Sequence, residues 1–135
     1  MNPRYLLDTN ILIAVIRNRA ANAKPFLIHH ESQIATSTIT AYELWVGALR
    51  APDVATASMR VERVLSLVQM LDFDLDAAKT AADVRAKLQA TGNQIGPYDT
   101  LIAGLALSRD LIVVTSNEGE FRRVDGLTVE NWLAN

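Results

Sequence analysis

Tyr5-Leu6-Leu7-Asp8-Thr9-Asn10 reads as a short buried strand whose last apolar residue runs straight into an acid. An open α/β sheet presents its ligand crevice beyond the carboxyl ends of its strands, so an acid at that edge is placed to meet a substrate or a metal. Immediately downstream, Ile11, Leu12, Ile13, Val15 and Ile16 form a nearly unbroken apolar stretch. It reads as a short helix ending near Arg17-Asn18, which Asp8 or Thr9 can cap.

The rest of the chain alternates in the same way. A helix is expected from about Ala20 to His30, kinked or restarted at Pro25 because proline lacks the amide a helix needs. Gln33 to Ser37 is a strand, and Thr38-Ile39-Thr40 leads into a helix carrying Glu43, Leu44, Trp45 and Leu49. Helical spacing returns from Val54 to Val68, followed by a third strand at Met70 to Phe73. A long amphipathic helix, capped by Asp74 or Asp76, runs to Ala90 and stops at Thr91-Gly92-Asn93. Gly96-Pro97 opens the next helix, apolar on almost every side from Leu101 to Leu107 and therefore buried against the sheet. Leu111 to Val114 is a strand, Thr115 to Glu120 a polar loop and Leu127 to Val129 a last strand. This order predicts an α/β fold, a central parallel sheet of four to five strands with helices on both faces.

At 135 residues the chain has room for one domain, residues 1–135, with one buried core. Half of it is hydrophobic and 21% charged, the balance of a globular protein. There is no cysteine, which excludes disulfides and thiolate metal sites. Neither a secretory signal nor a membrane span fits the N-terminal segment, so a cytoplasmic protein with no membrane association is expected. A net charge of −2 argues against binding nucleic acid through a broad basic field. It leaves room for a nuclease that meets phosphate through cations held by carboxylates.

Three acids compete between ordinary and chemical roles. Asp8 is a preferred N-cap residue, Thr40-Ala41-Tyr42-Glu43 matches a capping box, and Asp99 complements a helix dipole behind Pro97. All three nevertheless fall just past a strand or early in a helix, on one rim of a parallel sheet. If the fourth strand lies beside the first, the switch point falls between Asp8 and Thr115. Carboxylates converging there repel one another unless cations share the site. Oxygen ligands without His or Cys suit Mg²⁺ or Mn²⁺.

The motifs L-L-D8-T-N, E43-L-W-V-G47, G96-P-Y-D99-T-L-I-A and V-T115-S-N117-E-G-E-F121 together resemble the PIN-domain ribonucleases, closely the VapC toxins of bacterial VapBC toxin–antitoxin pairs. The resemblance covers nearly the whole chain. It implies a PIN-like fold, Mg²⁺-dependent endoribonuclease activity on a structured RNA such as a tRNA, a VapB-type antitoxin partner and a homodimer. It also implies Asp8, Glu43 and Asp99 as the acidic triad, with Asp8 and Asp99 holding the metal and Glu43 orienting or deprotonating the attacking water. Asn117 takes the fourth catalytic position, where the family often has Asp. Glu118 or Glu120 can substitute for the missing charge, or be solvated loop acids; Thr115 and Ser116 offer hydroxyls or cap the loop. Ile13, Ile16, Phe26 and Leu27 are candidates for the antitoxin groove, against ordinary core packing. His29 and His30 lie far in sequence from any acid and are not expected to act as a base. Trp45 and Trp132 read as core or interface anchors rather than base-stacking platforms, and Arg4, Arg17, Arg19, Arg122 and Arg123 as scattered surface charges, with contact to RNA phosphates as the alternative.

Two other readings stay open at this point. An aspartate-nucleophile phosphatase also places an acid after its first strand, but its second Asp, two residues on, is Asn10 here. A PIN-fold RNA- or protein-binding module with weakened catalysis has Asn117 in its favour.

Overall fold

The computed structural model describes residues 3–17 and 32–133. The expected helix over 20–30, with Pro25, Phe26, Leu27, His29 and His30, lies outside them, as does Arg19.

Five parallel strands form one sheet: β1 (Tyr5–Leu7), β2 (Ile34–Ser37), β3 (Gln69–Leu71), β4 (Ile112–Val114) and β5 (Val129–Glu130), in the order β3-β2-β1-β4-β5. The helices are α1 (Thr9–Ile16), α2 (Thr38–Leu49), α3 (Val54–Leu65), α4 (Leu75–Ala90), α5 (Pro97–Ser108) and the short α6 (Glu118–Phe121). The polar loop expected after β4 thus contains a helical turn. Strands β3 and β5 also sit one or two residues away from the expected spans.

Alternation along the strands divides the core into two layers. Tyr5, Leu7, Ile34 and Val114 face one side with Ile11 and Leu12 of α1, Leu44 of α2 and Val61 of α3. Leu6, Ala35 and Val113 face the other with Ala77 and Val84 of α4, Ile102 and Leu105 of α5, and Phe121. Both faces of the central strands are covered, which is why β1 and β4 are continuously apolar. Trp132 closes one end of the first layer, its ring edge-on to Tyr5 at 5.1 Å. On the other side, α4 and α5 approach so closely that a Cβ at Gly104 would lie 2.5 Å from the Cα of Ala81.

Chain direction explains the site. From β1 the chain steps outward to β2 and β3, then crosses back to lay β4 on the other side of β1. Strands β1 and β4 therefore diverge into connections on opposite sides, opening a crevice at their carboxyl ends. Asp8 follows β1 directly and Thr115 follows β4.

Candidate active site

Asp8 continues the strand ladder, its amide donating to the Val114 carbonyl over 2.9 Å, and its side chain is 1% exposed. One carboxylate oxygen, Oδ1, accepts from the Thr9 amide at 2.7 Å and the other, Oδ2, from the Thr115 hydroxyl at 2.8 Å. Asp8 is thus the N-cap of α1, as its ordinary reading has it. Its bond goes to the adjacent amide, however, while the rest of the group faces the crevice between β1 and β4. Burial raises its pKa above the usual carboxylate range, hydrogen bonds from Thr115 and Thr9 oppose the rise, and repulsion from Glu43 and Glu120 adds to it.

Glu43 is not part of a capping box. The N-cap of α2 is Ser37, whose hydroxyl accepts from the Thr40 amide at 3.0 Å. Strand β2 runs into the helix without a break, which moves the cap three residues upstream of Thr40 and leaves Glu43 in the second turn. There its Oε1 accepts from the Thr9 hydroxyl at 2.8 Å, and Thr9 Oγ1 lies 3.1 Å from Thr40 Oγ1. Thr9 accordingly stands next to Asp8 in the chain and touches Glu43 across the crevice. Sequence reasoning gave it only a capping role; a hydroxyl between an acid and a helix start is a weak signal.

Asp99 lies in the first turn of α5, where the helix dipole favours negative charge. Its surroundings override the dipole. Burial, then the hydrogen bond to Glu120, then repulsion from Asp8 and Glu120 push its carboxyl up to about 8, with the hydrogen bond to Asn117 pulling the other way. Glu120 moves down, chiefly because the same Asp99 hydrogen bond stabilises its ionised form. The two carboxyls therefore titrate as a pair, Asp99 pushed up and Glu120 down.

Asn117 holds that pair. Its Nδ2 donates to Asp99 Oδ2 at 2.9 Å and to Glu120 Oε2 at 2.6 Å, while its backbone amide donates to Thr115 Oγ1 at 2.9 Å. The Gly96 amide donates to Glu120 Oε1 at 3.3 Å. Of the two acids weighed beside Asn117, Glu120 therefore points into the cluster. Glu118 faces away, engaged by Arg122 at 2.8 Å and Asn131 at 3.1 Å. One turn of α6 puts residue 120 on the same side as residue 117 and residue 118 on another. Thr115 is fully buried and joins the halves, accepting from Asn117 and donating to Asp8.

The donor set, tested for a divalent cation, consists of hard carboxylate oxygens that repel one another across the crevice, Asp8 against Glu43 and Asp99 against Asp8. Among the described residues no group of three or more His, Asp or Glu side chains is arranged to hold a metal ion as it stands. Mg²⁺ asks for less, since it keeps several waters and takes one or two carboxylates plus substrate phosphate. The residues fit such an ion. A separate cavity of about 590 Å³, lined by Phe73, Ala81, Arg85, Leu88, Ile95 and Leu101 among others, includes none of the acids discussed above. No described helix is long and apolar enough to cross a membrane.

Comparison with known proteins agrees with the architecture. The PIN domain family model matches residues 5–127. The tRNA(fMet)-specific endonuclease VapC of Shigella flexneri is 37% identical over 129 residues, covering 96% of this chain and 98% of the relative. Ribonuclease VapC2 of Haemophilus influenzae is 35% identical over 130 residues, covering 96% and 98%. Among solved structures, DNA-bound VapBC from Salmonella typhimurium superposes with a TM-score of 0.93 at 37% identity, covering 96% of this chain and 98% of that one. VapBC2 from Rickettsia felis, bound to a DNA fragment from its promoter, gives 0.90 at 29% identity, covering 98% and 99%.

Proposed function

The chain belongs to the PIN-domain family, beside its VapC members, and on that premise we propose that it is an endoribonuclease acting as the toxin of a toxin–antitoxin pair. The observation that carries the reading is the convergence of Asp8, Glu43, Asp99 and Glu120 at the β1–β4 switch point, bound together through Thr9, Thr115 and Asn117. The names of the Shigella and Haemophilus relatives support RNA as the substrate, and a tRNA in particular. The VapBC complexes support a small VapB-type antitoxin as partner.

Asp8 and Asp99 would hold a divalent cation, Mg²⁺ or Mn²⁺, which when bound offsets phosphate charge and makes water more acidic. Glu43 accepts the proton of the attacking water, and the Thr9 hydroxyl fixes the orientation of its carboxylate. Thr115 keeps Asp8 turned toward the crevice. Asn117 steadies Asp99 and Glu120 without adding a charge. Glu120 is the fourth acid of the site, held beside Asp99 by the same Asn117 amide.

The test is cleavage of bulk RNA by the purified chain, with chelator and with added Mg²⁺ or Mn²⁺, beside p-nitrophenyl phosphate. Metal-dependent RNA cleavage without phosphatase activity is expected. Asp8→Asn should lose that cleavage while keeping a native far-UV spectrum. Hydrolysis of p-nitrophenyl phosphate alone would move the chain to the phosphatases, and binding of RNA without cleavage would make it a binding module.

A further inference from the structure

Large side chains exposed to solvent are usually scattered, but two of them here stand together. Tyr42 is 54% exposed and Tyr98 41% exposed. Their ring centroids are 5.8 Å apart with an interplanar angle of 58°. Tyr42 immediately precedes Glu43 on α2, and Tyr98 immediately precedes Asp99 on α5. The pair therefore bridges the two helix layers that cover opposite faces of the sheet, beside the acids that both helices contribute. Each ring thus stands next in sequence to an acid of the crevice, Tyr42 to Glu43 and Tyr98 to Asp99.

We infer that Tyr42 and Tyr98 form a stacking platform for one unpaired base of the RNA beside the scissile phosphate. The inference rests on the ribonuclease reading above and specifies how the substrate is held. The cluster of carboxylates repels a phosphate backbone, and a net charge of −2 provides no general field to offset it. Contacts indifferent to charge are then needed next to the reacting bond. An aromatic face supplies one, because every nucleobase has a π-face, and stacking contributes about 1–3 kcal/mol per base, roughly 5- to 150-fold in affinity. Held from two helices and packed against each other, the rings lose little further freedom when a base lands on them. Their exposure also means that a purely structural role would be small.

The experiment uses the full chain in an Asp8→Asn background, which keeps RNA intact, and a short single-stranded oligoribonucleotide carrying 2-aminopurine. Binding should quench the probe. The double variant Tyr42→Leu/Tyr98→Leu should abolish the quenching and weaken binding about tenfold or more, whereas Tyr98→Phe should retain both within about threefold because the ring remains. In the chain with Asp8 intact, the leucine variant should raise KM for bulk tRNA far more than it lowers kcat, with an unchanged melting temperature. Equal quenching and affinity in the leucine variant overturn the platform while leaving the ribonuclease reading in place. A parent chain that neither binds nor cleaves RNA overturns both. Weakened hold on a co-produced small protein partner, with RNA binding intact, assigns the rings to that partner and also overturns the proposal.

Discussion

Asn117 donates to two carboxylates, Asp99 and Glu120, so its replacement tests the charge arrangement directly. Asn117→Asp removes both donors and adds a third acid, which should lower the melting temperature in chelator and raise it above the parent's in saturating Mn²⁺. The change expected in each direction is about 1–2 kcal/mol, since a like-charge neighbour moves a carboxylate pKa by about a unit or more. Equal Mn²⁺-induced shifts in the two proteins would place residue 117 out of the ion's influence. The pH dependence follows from Asp99, whose carboxyl lies near 3.8 when unfolded and at about 8 when folded. Between those values the folded state binds the extra proton, so stability falls as pH rises across the window. Glu120 shifts downward, and its stabilisation is lost only as pH falls below the ordinary glutamate range. The chelated protein should thus melt progressively lower from mildly acidic to mildly alkaline buffer, and Asp99→Asn should flatten that slope. A parent whose melting temperature is level or rising over the window would contradict the raised Asp99 carboxyl.

At the level of elements, α4 and α5 pack in close contact, and Gly104 permits it. An alanine there gains about 1 kcal/mol of helix propensity. Its Cβ would meet the backbone of Ala81 at 2.5 Å, and forcing a methyl into a packed contact costs about 1–3 kcal/mol or more. The clash wins, so Gly104→Ala should lower the urea midpoint; an unchanged or higher midpoint would show that the helices slide apart freely. Elements of this kind are legible from sequence because their signals are local: Gly96-Pro97 starts α5, Gly92 stops α4, and Tyr5-Leu6-Leu7 alternates between two cores. Strands β3 and β5 are displaced because their ends are set by pairing with β2 and β4, which no local pattern encodes. The capping-box reading of Glu43 fails for a related reason. Ser37 belongs to β2 and caps α2 at once, and only the strand-to-helix transition reveals it. Asp8, Glu43 and Asp99 were locatable from their places after strands and in early helical turns. Glu120 was not separable from Glu118 until the turn of α6 fixed which of them faces Asn117.

For the molecule as a whole, the toxin reading makes a cellular prediction. Production of the chain alone should arrest bacterial growth, co-production of the small protein encoded beside it should relieve the arrest, and Asp8→Asn should be harmless. Overproduction of soluble, folded parent chain without effect on growth would count against the toxin role. The sheet order adds a temporal consequence. β1 precedes one of its two neighbours, β4, by more than a hundred residues, with Thr115 bonded to Asp8 across a separation of 107. Closing so long a loop comes late, after local helices and the β1–β2 pairing are in place. A nascent chain still lacking its last strands holds Asp8 and Glu43 but not the segment carrying Thr115, Asn117 and Glu120. Any activity that needs the whole cluster of acids must therefore wait until the segment after β4 has folded onto β1, so the order of elements along the chain itself delays it.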